Sequence, residues 1–318
     1  MSPLLSLLLG ILGLVILTYG ADLLVRGGVR IAETLGIPSV IIGLTLVSFA
    51  TSAPELVVSI QAALSQAGDI SMGNVVGSNI CNTALILGLA AVITPMTVHR
   101  KMLVFDTPVL VVASLLLLVF AAVSQGIGRL QALVLLLLFV GYLGKHIRDA
   151  LKGEEVPGEE LPKSDHPLPL WKAISLVILG LAGLVFGSKL FVNGAVEAAR
   201  LLHVSDAVIG LTIVSVGTSL PELATSAVAA FRGENDIAVG NVVGSNIFNI
   251  LAILGIAPLI RPIHAAGIHS LDLMVMAGVT ILMLLMAYTG KTIRRWEGAL
   301  LLLFYFGYMA WLVLHPLA

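Results

Sequence analysis

Long apolar runs alternate with short polar connections along nearly the whole chain. A helix needs roughly 20 apolar residues to cross a bilayer, and ten runs come close to that length. The pattern therefore predicts ten membrane-spanning helices, five on either side of one long polar stretch. The predicted spans are residues 4–25, 37–64, 70–93, 102–123, 130–143, 171–192, 204–231, 237–260, 271–289 and 298–314.

The polar stretch divides the chain into a first five-helix repeat (1–144), a cytoplasmic linker (145–170) and a second five-helix repeat (171–318). The linker carries an acidic run, but this run lacks the spaced oxygen ligands and the turn glycine of a folded calcium loop. We therefore interpret it as a solvated connection.

Two blocks of sequence occur twice, and both pairs are 167 residues apart. GLTLVSFATSAPEL at 43–56 returns as GLTIVSVGTSLPEL at 210–223, with ten of fourteen positions identical. DISMGNVVGSNICN at 69–82 returns as DIAVGNVVGSNIFN at 236–249, with eleven of fourteen identical. The chain is therefore an internal duplication, and the polar residues in these blocks are the candidates for function.

Five spans per half is an odd number, so two homologous halves must insert with opposite orientations. If the loops are assigned to alternate sides, thirteen Lys and Arg residues fall on one side and three on the other. Basic residues favour the cytoplasmic side. The sequence thus predicts an all-α polytopic membrane protein of two inverted five-helix repeats, with the N- and C-termini outside.

Composition supports this class and excludes others. The chain is 58% hydrophobic and only 11% charged, whereas soluble domains carry about 25% charged residues. Its net charge of −1 gives no reason to expect nucleic-acid binding. The single cysteine, Cys81, cannot form an internal disulfide.

Two glutamates, Glu55 and Glu222, lie inside predicted spans two and seven. A charged side chain at that depth costs at least a few kcal/mol, and no basic residue shares the repeated blocks. The inverted repeat should bring the two carboxylates together at the midplane, where secondary transporters bind their substrates. Paired carboxylates favour a divalent cation, with protons as competitors.

The residues around the glutamates supply oxygen ligands. Two stripes, each with i, i+4, i+7 spacing, would place hydroxyls on the face of the glutamates, and two threonines lie at the Pro-Glu break. These residues are Ser48, Ser52, Thr51, Ser215, Ser219 and Thr218. Pro54 and Pro221 should also free the carbonyls of Ala50 and Gly217.

Spans three and eight carry a second polar set with a spacing of four residues: Asn74, Ser78 and Asn82, and Asn241, Ser245 and Asn249. Neighbouring GxxxG pairs should allow close helix approach. Oxygen ligands without a His or Cys cluster suit calcium and sodium rather than zinc or copper. We expect Asn79 and Asn246, which face away from these stripes, to link helices. Asp69, Asp236, Asp106 and Asp272 begin spans and are expected to stabilise helix N-termini, with cation entry as the alternative role.

With these motifs, TSxPE followed by GSN[IL], the chain resembles the cation/calcium exchanger family, the sodium/calcium antiporters, over nearly its whole length. The family has a ten-span inverted-repeat fold, and the resemblance is to its compact prokaryotic members. It implies an integral, multi-pass protein of a prokaryotic plasma (inner) membrane that is not an enzyme and needs no cofactor. Its partners would be membrane lipid and the transported Ca²⁺ and Na⁺, and a monomer would suffice for transport.

The resemblance also assigns roles to residues. It implies that Glu55 and Glu222 bind calcium, and sodium in the exchanged state. The main-chain oxygens of Thr51 and Thr218 would add to the calcium site, and Ser48, Ser52, Ser215 and Ser219, with Ser78 and Ser245, would complete the sodium sites. Asn82 and Asn249 would lie beside the central sites. Some family members have aspartate at the position of Asn249, so this chain has one acidic group fewer.

We therefore expect sodium/calcium antiport by alternating access. A proton/calcium antiporter on the same scaffold is the nearest alternative. A membrane-embedded hydrolase is disfavoured because no nucleophile or histidine accompanies the glutamates, and a cation channel should not depend on a counter-ion.

Overall fold

A computed structural model describes residues 3–151, 169–201, 215–265 and 267–314, and in these ranges the chain is almost entirely helical. The helices are α1 (Pro3–Leu35), α2 (Ser39–Thr51), α3 (Ala53–Leu64), α4 (Gly68–Ile93), α5 (Met102–Ser124), α6 (Arg129–Leu151), α7 (Leu170–Leu201), α8 (Ser215–Gly217), α9 (Leu220–Arg232), α10 (Asn235–Ile260), α11 (Ser270–Gly290) and α12 (Arg295–Leu314). Four two-residue strands lie in the connections: β1 (Met96–Thr97), β2 (Gly126–Ile127), β3 (Ile263–His264) and β4 (Thr292–Ile293).

Seven helices in the described part of the chain are long and apolar enough to cross a membrane, namely α1, α4, α5, α6, α7, α10 and α11. Helices α2 and α3 form an eighth candidate, a single span bent by 45° at its break. The first part of predicted span seven, residues 204–214, lies outside the described residues. Helix α12 occupies predicted span ten. The protein is thus a multi-pass membrane protein, and ten spans remain a prediction.

Helices α1 and α7 pack antiparallel along their length, through glycines at heptad spacing. Gly13 lies against Gly187 and Phe191, and Gly20 lies against Gly180 and Leu184. A Cβ atom on Gly13 would lie 2.4 Å from the backbone nitrogen of Phe191, so only glycine allows this approach. Close packing through small residues is a main source of helix association in lipid.

Helices α4 and α10, one from each half, are also antiparallel. At the start of α4, a Cβ on Gly68 would lie 2.0 Å from the carbonyl oxygen of His264, just beyond the end of α10. At the start of α10, Asn235 Nδ2 donates to the carbonyl of Pro95, just beyond the end of α4, over 3.4 Å. The two repeats therefore run in opposite directions through the centre of the molecule.

The strands pair across the halves with matching registers. Met96 pairs with Ile293 in the β1–β4 sheet, and Ile263 pairs with Ile127 in the β2–β3 sheet. Each sheet joins one strand of each half, and the sheets lie at opposite ends of α4. We call these ends the β1–β4 face, which the distribution of basic residues predicts to be cytoplasmic, and the β2–β3 face.

Three helices extend well beyond their predicted bounds. Helix α1 runs to Leu35 rather than to residue 25, and helix α7 runs to Leu201 rather than to residue 192. Helix α6 continues to Leu151, so the first part of the predicted linker, 145–151, is helical. The extension of α6 is held by Lys145, which donates to Asp149 one turn later over 2.6 Å, and by His146, which packs against α5. The acidic run of the linker lies outside the described residues.

Candidate cation site

Both candidate glutamates lie where a helix restarts after a break. Ser52 (φ −86°, ψ 4°) precedes α3, and Ser219 (φ −87°, ψ 7°) precedes α9. A proline follows each break. Proline has no backbone N–H and its ring clashes with the preceding turn, so the helix is interrupted there. Glu55 and Glu222 then occupy the first turn of the new helix and are fully buried. The positive end of the helix dipole and its free N–H groups favour negative charge at this position.

Serines from opposite halves hold the two carboxylates. Ser52 Oγ donates to Glu222 Oε1 over 2.8 Å, and Ser219 Oγ lies 3.3 Å from Glu55 Oε1. The Ser219 hydroxyl is also 3.2 Å from Ser78 Oγ. The fold therefore brings Glu55, Glu222, Ser52, Ser219 and Ser78 into one buried polar cluster, as the repeat predicts.

Four side-chain oxygens in this region are buried and accept no hydrogen bond from the described residues. They form two pairs related by the repeat: Glu55 Oε2 with Glu222 Oε2, and Asn82 Oδ1 with Asn249 Oδ1. The hydroxyl of Thr218 is likewise without a partner. A buried polar atom without a partner costs free energy. These oxygens have the chemistry of ligands for a hard cation.

The asparagines are positioned by π-helical turns in α4 (Cys81–Ile86) and α10 (Phe248–Ile253). Asn82 Nδ2 donates to Asn246 Oδ1 over 3.1 Å, and Asn249 Nδ2 donates to Asn79 Oδ1 over 3.3 Å. The amide N–H groups thus join the two halves while the amide oxygens stay available. Asn79 and Asn246 link helices, as their position in the sequence predicts.

The other described hydroxyls that the sequence predicts for the site contact neighbouring helices or their own helix. Thr51 Oγ1 donates to Asn241 Oδ1 over 3.1 Å, and Ser245 Oγ is 3.5 Å from the Ser48 carbonyl. The Ser48 hydroxyl donates within its own helix, to the carbonyl of Leu44 over 2.8 Å. The side chain of Ser215 lies outside the described residues.

Two serines of the site were not predicted. Asn74 Nδ2 donates to Ser59 Oγ over 3.0 Å, and Asn241 Nδ2 donates to Ser226 Oγ over the same distance. Asn74 also reaches the carbonyl of Glu55 over 3.2 Å, so these contacts brace the restarted helix. The missed signal is in the sequence, because Ser59 and Ser226 each follow a glutamate by four residues.

One of the carbonyls that the prolines free from the helix ladder has a side-chain partner. The carbonyl of Gly217, predicted to be freed by Pro221 for a cation, accepts a hydrogen bond from Ser188 Oγ of α7 over 2.9 Å. A polar side chain from a neighbouring helix satisfies this carbonyl. A carbonyl oxygen has two lone pairs, so this bond leaves the Gly217 oxygen able to contact a cation as well.

The GxxxG prediction is confirmed for the second half. A Cβ on Gly244 would lie 2.6 Å from the carbonyl oxygen of Leu44 and 2.7 Å from Ser48 Oγ, so α10 packs directly on α2. Among the described residues, a Cβ on Gly73 would meet only the end of the Ile268 side chain, at 3.3 Å, and a Cβ on Gly77 would meet no atom within 4 Å.

The charge of the glutamates is not balanced by protein cations. In the described part of the chain, no Lys, Arg or His forms an ion pair with Glu55 or Glu222. Nor do three or more His, Cys, Asp or Glu residues among those described lie together in an arrangement that could hold a metal ion. The site is therefore two carboxylates surrounded by neutral oxygen donors.

A buried pair of carboxylates between antiparallel helical halves is typical of a membrane cation transporter, and comparison with known proteins gives the family. The profile of the sodium/calcium exchanger protein family matches residues 5–145 and 172–314. The chain belongs to this family, which is a family of membrane exchangers.

The chain is similar to relatives over most of its length. It is 40% identical over 301 residues to the inner membrane protein YrbG of Escherichia coli, covering 90% of this chain and 89% of YrbG. It is 36% identical over 344 residues to the sodium/calcium exchanger MaX1 of Methanosarcina acetivorans, covering 96% of this chain and 97% of MaX1.

The fold is similar to a solved structure of the sodium-calcium exchanger NCX_Mj soaked with 10 mM Na⁺ and 10 mM Sr²⁺. The TM-score is 0.84 with 34% sequence identity, and the match covers 97% of this chain and 99% of that one.

Proposed function

We propose that this protein is a secondary antiporter that exchanges sodium for calcium by alternating access. Its ten spans would form two inverted repeats with the termini outside, in the plasma (inner) membrane of a prokaryote. The observation that carries the proposal is the set of four unpartnered oxygens on Glu55, Glu222, Asn82 and Asn249.

The site chemistry accounts for coupling. One Ca²⁺ or several Na⁺ would neutralise the two buried carboxylates in turn, with Ser52, Ser219, Ser78 and Thr218 contributing oxygens. An empty site would leave two negative charges buried in the membrane, which is costly. The empty carrier would therefore not change its access readily, so the movement of one ion would require the return of the other.

The test is calcium-45 uptake into proteoliposomes that contain the purified protein and are preloaded with sodium. We expect uptake driven by the outward sodium gradient, little uptake from potassium-loaded vesicles, and none with Glu55→Gln. Uptake that requires no sodium gradient and no other counter-ion would contradict antiport and indicate a channel.

A proton/calcium antiporter is the second candidate. The unpartnered Oε2 atoms of Glu55 and Glu222 favour it, because a proton on one carboxylate would also relieve the burial of two negative charges. Acid-loaded vesicles without sodium distinguish the sodium-coupled from the proton-coupled antiporter. Calcium uptake driven only by the proton gradient would show that protons, rather than sodium, are the coupling ion.

A further inference from the structure

The two faces of the molecule differ in the cavities that approach the site. A cavity of about 440 Å³ is lined by Asn74, Ser78 and Thr218 at its inner end and by Asp272 and Tyr308 farther out. Asp272 lies near the start of α11 and Tyr308 in the second half of α12, and both of these helix ends are at the β2–β3 face. The cavity therefore extends from the β2–β3 face to residues of the cation site.

Asp272 is the acidic residue among the described lining residues of this cavity, and none of those residues is Lys, Arg or His. Its Oδ1 accepts a hydrogen bond from Tyr308 over 2.7 Å, and its Oδ2 accepts one from the backbone N–H of His269 over 3.2 Å. Both partners are neutral, and no Lys, Arg or His in the described ranges forms an ion pair with Asp272. A carboxylate oxygen can accept more than one bond, which leaves capacity for a passing cation.

The acidic residue that begins the corresponding span of the first half has a different environment. Asp106, near the start of α5, is 1% exposed and lies 2.7 Å from Nε2 of the equally buried His146. A larger crevice of about 670 Å³ lies at this end of the molecule, and its described lining contains His146 and Phe248 but not Asp106. Of these two cavities, the smaller one is lined by Asp272 and reaches residues of the site, and the described lining of neither contains Asp106.

We propose that Asp272 recruits cations into the path between the β2–β3 face and the central site, which rests on the proposed transport function. A fixed negative charge on the wall of a cavity with low-dielectric surroundings raises the local concentration of cations. The carboxylate also completes the N-terminal hydrogen bonds of α11, as the sequence predicts. One group therefore serves both roles that the sequence leaves open.

The test is the initial rate of calcium-45 uptake against calcium concentration, in right-side-out and inverted membrane vesicles containing the full chain. Asp272→Asn keeps an oxygen for the His269 N–H but removes the charge. We expect a two- to tenfold higher half-saturating calcium concentration at the β2–β3 face and no change at the other face. The difference should shrink from low to physiological ionic strength, because the Debye length falls from roughly 30 Å at 0.01 M to about 8 Å at 0.15 M.

Two further variants separate charge from structure. Asp272→Glu retains the charge, and Tyr308→Phe removes the phenol donor without changing the charge, so both should stay close to wild type in this assay. Equal effects of Asp272→Asn at both faces, or an effect that salt leaves unchanged, would overturn the inference and indicate a purely structural role.

Failure of the proposed function would look different. A wild-type protein that transports calcium while Asp272→Asn behaves identically overturns only the recruiting role. A wild-type protein without calcium flux at either face would overturn antiport, and the recruiting role with it.

Discussion

The two halves meet in two places that differ in their residue types. At the centre, α3 and α4 meet α9 and α10 through serines, asparagines and two buried glutamates. Along one side, α1 meets α7 through glycines that bring the two backbones together. The described side chains of α1 and α7 include no buried oxygen or nitrogen without a partner, whereas the centre has several.

This difference indicates that the centre binds ions and that the α1–α7 contact holds the two halves together. Burial of apolar surface does little to hold helices together in lipid, so close packing and polar bonds must do so. The α1–α7 contact is held by close packing and leaves no buried polar side-chain atom of the described residues without a partner, so substitutions there should affect stability. The centre retains polar atoms that the protein does not satisfy, and substitutions there should affect ion transport more than stability.

The largest effect is expected from Glu55→Gln and Glu222→Gln. Each change removes a charge from the site, so calcium transport should fall at least about 100-fold, equivalent to a loss of roughly 2.7 kcal/mol of stabilisation. Thermal stability in detergent should not fall, since one buried negative charge is removed. Glu33→Gln, which affects an acid paired with Arg30 outside the site, is the matched control. Near-normal calcium flux in either variant would show that the glutamate changed in that variant is not needed for transport.

Gly13→Ala tests the other meeting place. The new methyl group would collide with the backbone of Phe191, and overpacking of this kind typically costs about 1–3 kcal/mol. Gly10→Ala on the same helix is the control, because a Cβ there meets no described atom within 4 Å. We expect a lower melting temperature for Gly13→Ala alone. Equal melting temperatures for the two variants would show that the backbones can separate without cost.

Ser52→Ala and Ser219→Ala compare the two halves within the site. Hydrogen bonds to charged groups contribute about 1.5–3 kcal/mol, so Ser52→Ala should weaken calcium binding roughly tenfold. Ser219→Ala should have a smaller effect, because its hydroxyl is 3.3 Å rather than 2.8 Å from the carboxylate. Equilibrium binding of calcium-45 measures both, and the reverse order would show that the repeat-related serines are not used as the geometry indicates.

The smallest effect is expected at the β1–β4 face. Arg232, at the end of α9, pairs with Asp22 of α1, but both side chains are partly exposed. Such pairs contribute at most about 1 kcal/mol, so Arg232→Ala should lower the melting temperature only slightly, and less at high salt. Ser65, the residue 167 positions earlier, is the uncharged control. A loss as large as that of Gly13→Ala would contradict the division between the two meeting places.

Much of this architecture could be predicted from the sequence because membrane helices and repeats have strong signals. The apolar runs predict most helices, and the offset of 167 residues predicts which residues meet. The same offset relates Gly13 and Gly20 to Gly180 and Gly187, so the α1–α7 contact was also within reach of the sequence.

Other features have no comparable signal. The π-helical turns that hold Asn82 and Asn249 depend on packing between α4 and α10 rather than on residue type. The partner of the Gly217 carbonyl is Ser188, which is distant in sequence. Likewise, Asp106 and Asp272 each begin a predicted span, and only tertiary contacts give one a histidine partner and the other a cavity.

The most direct test of the central claim is competition between the two ions at equilibrium. Calcium-45 binding to the purified protein should be displaced by sodium with a steepness that indicates more than one Na⁺ per Ca²⁺, and both Glu55→Gln and Glu222→Gln should abolish binding. Calcium bound with unchanged affinity by these variants, or calcium and sodium bound at the same time without competition, would show that the two glutamates do not form a shared exchange site.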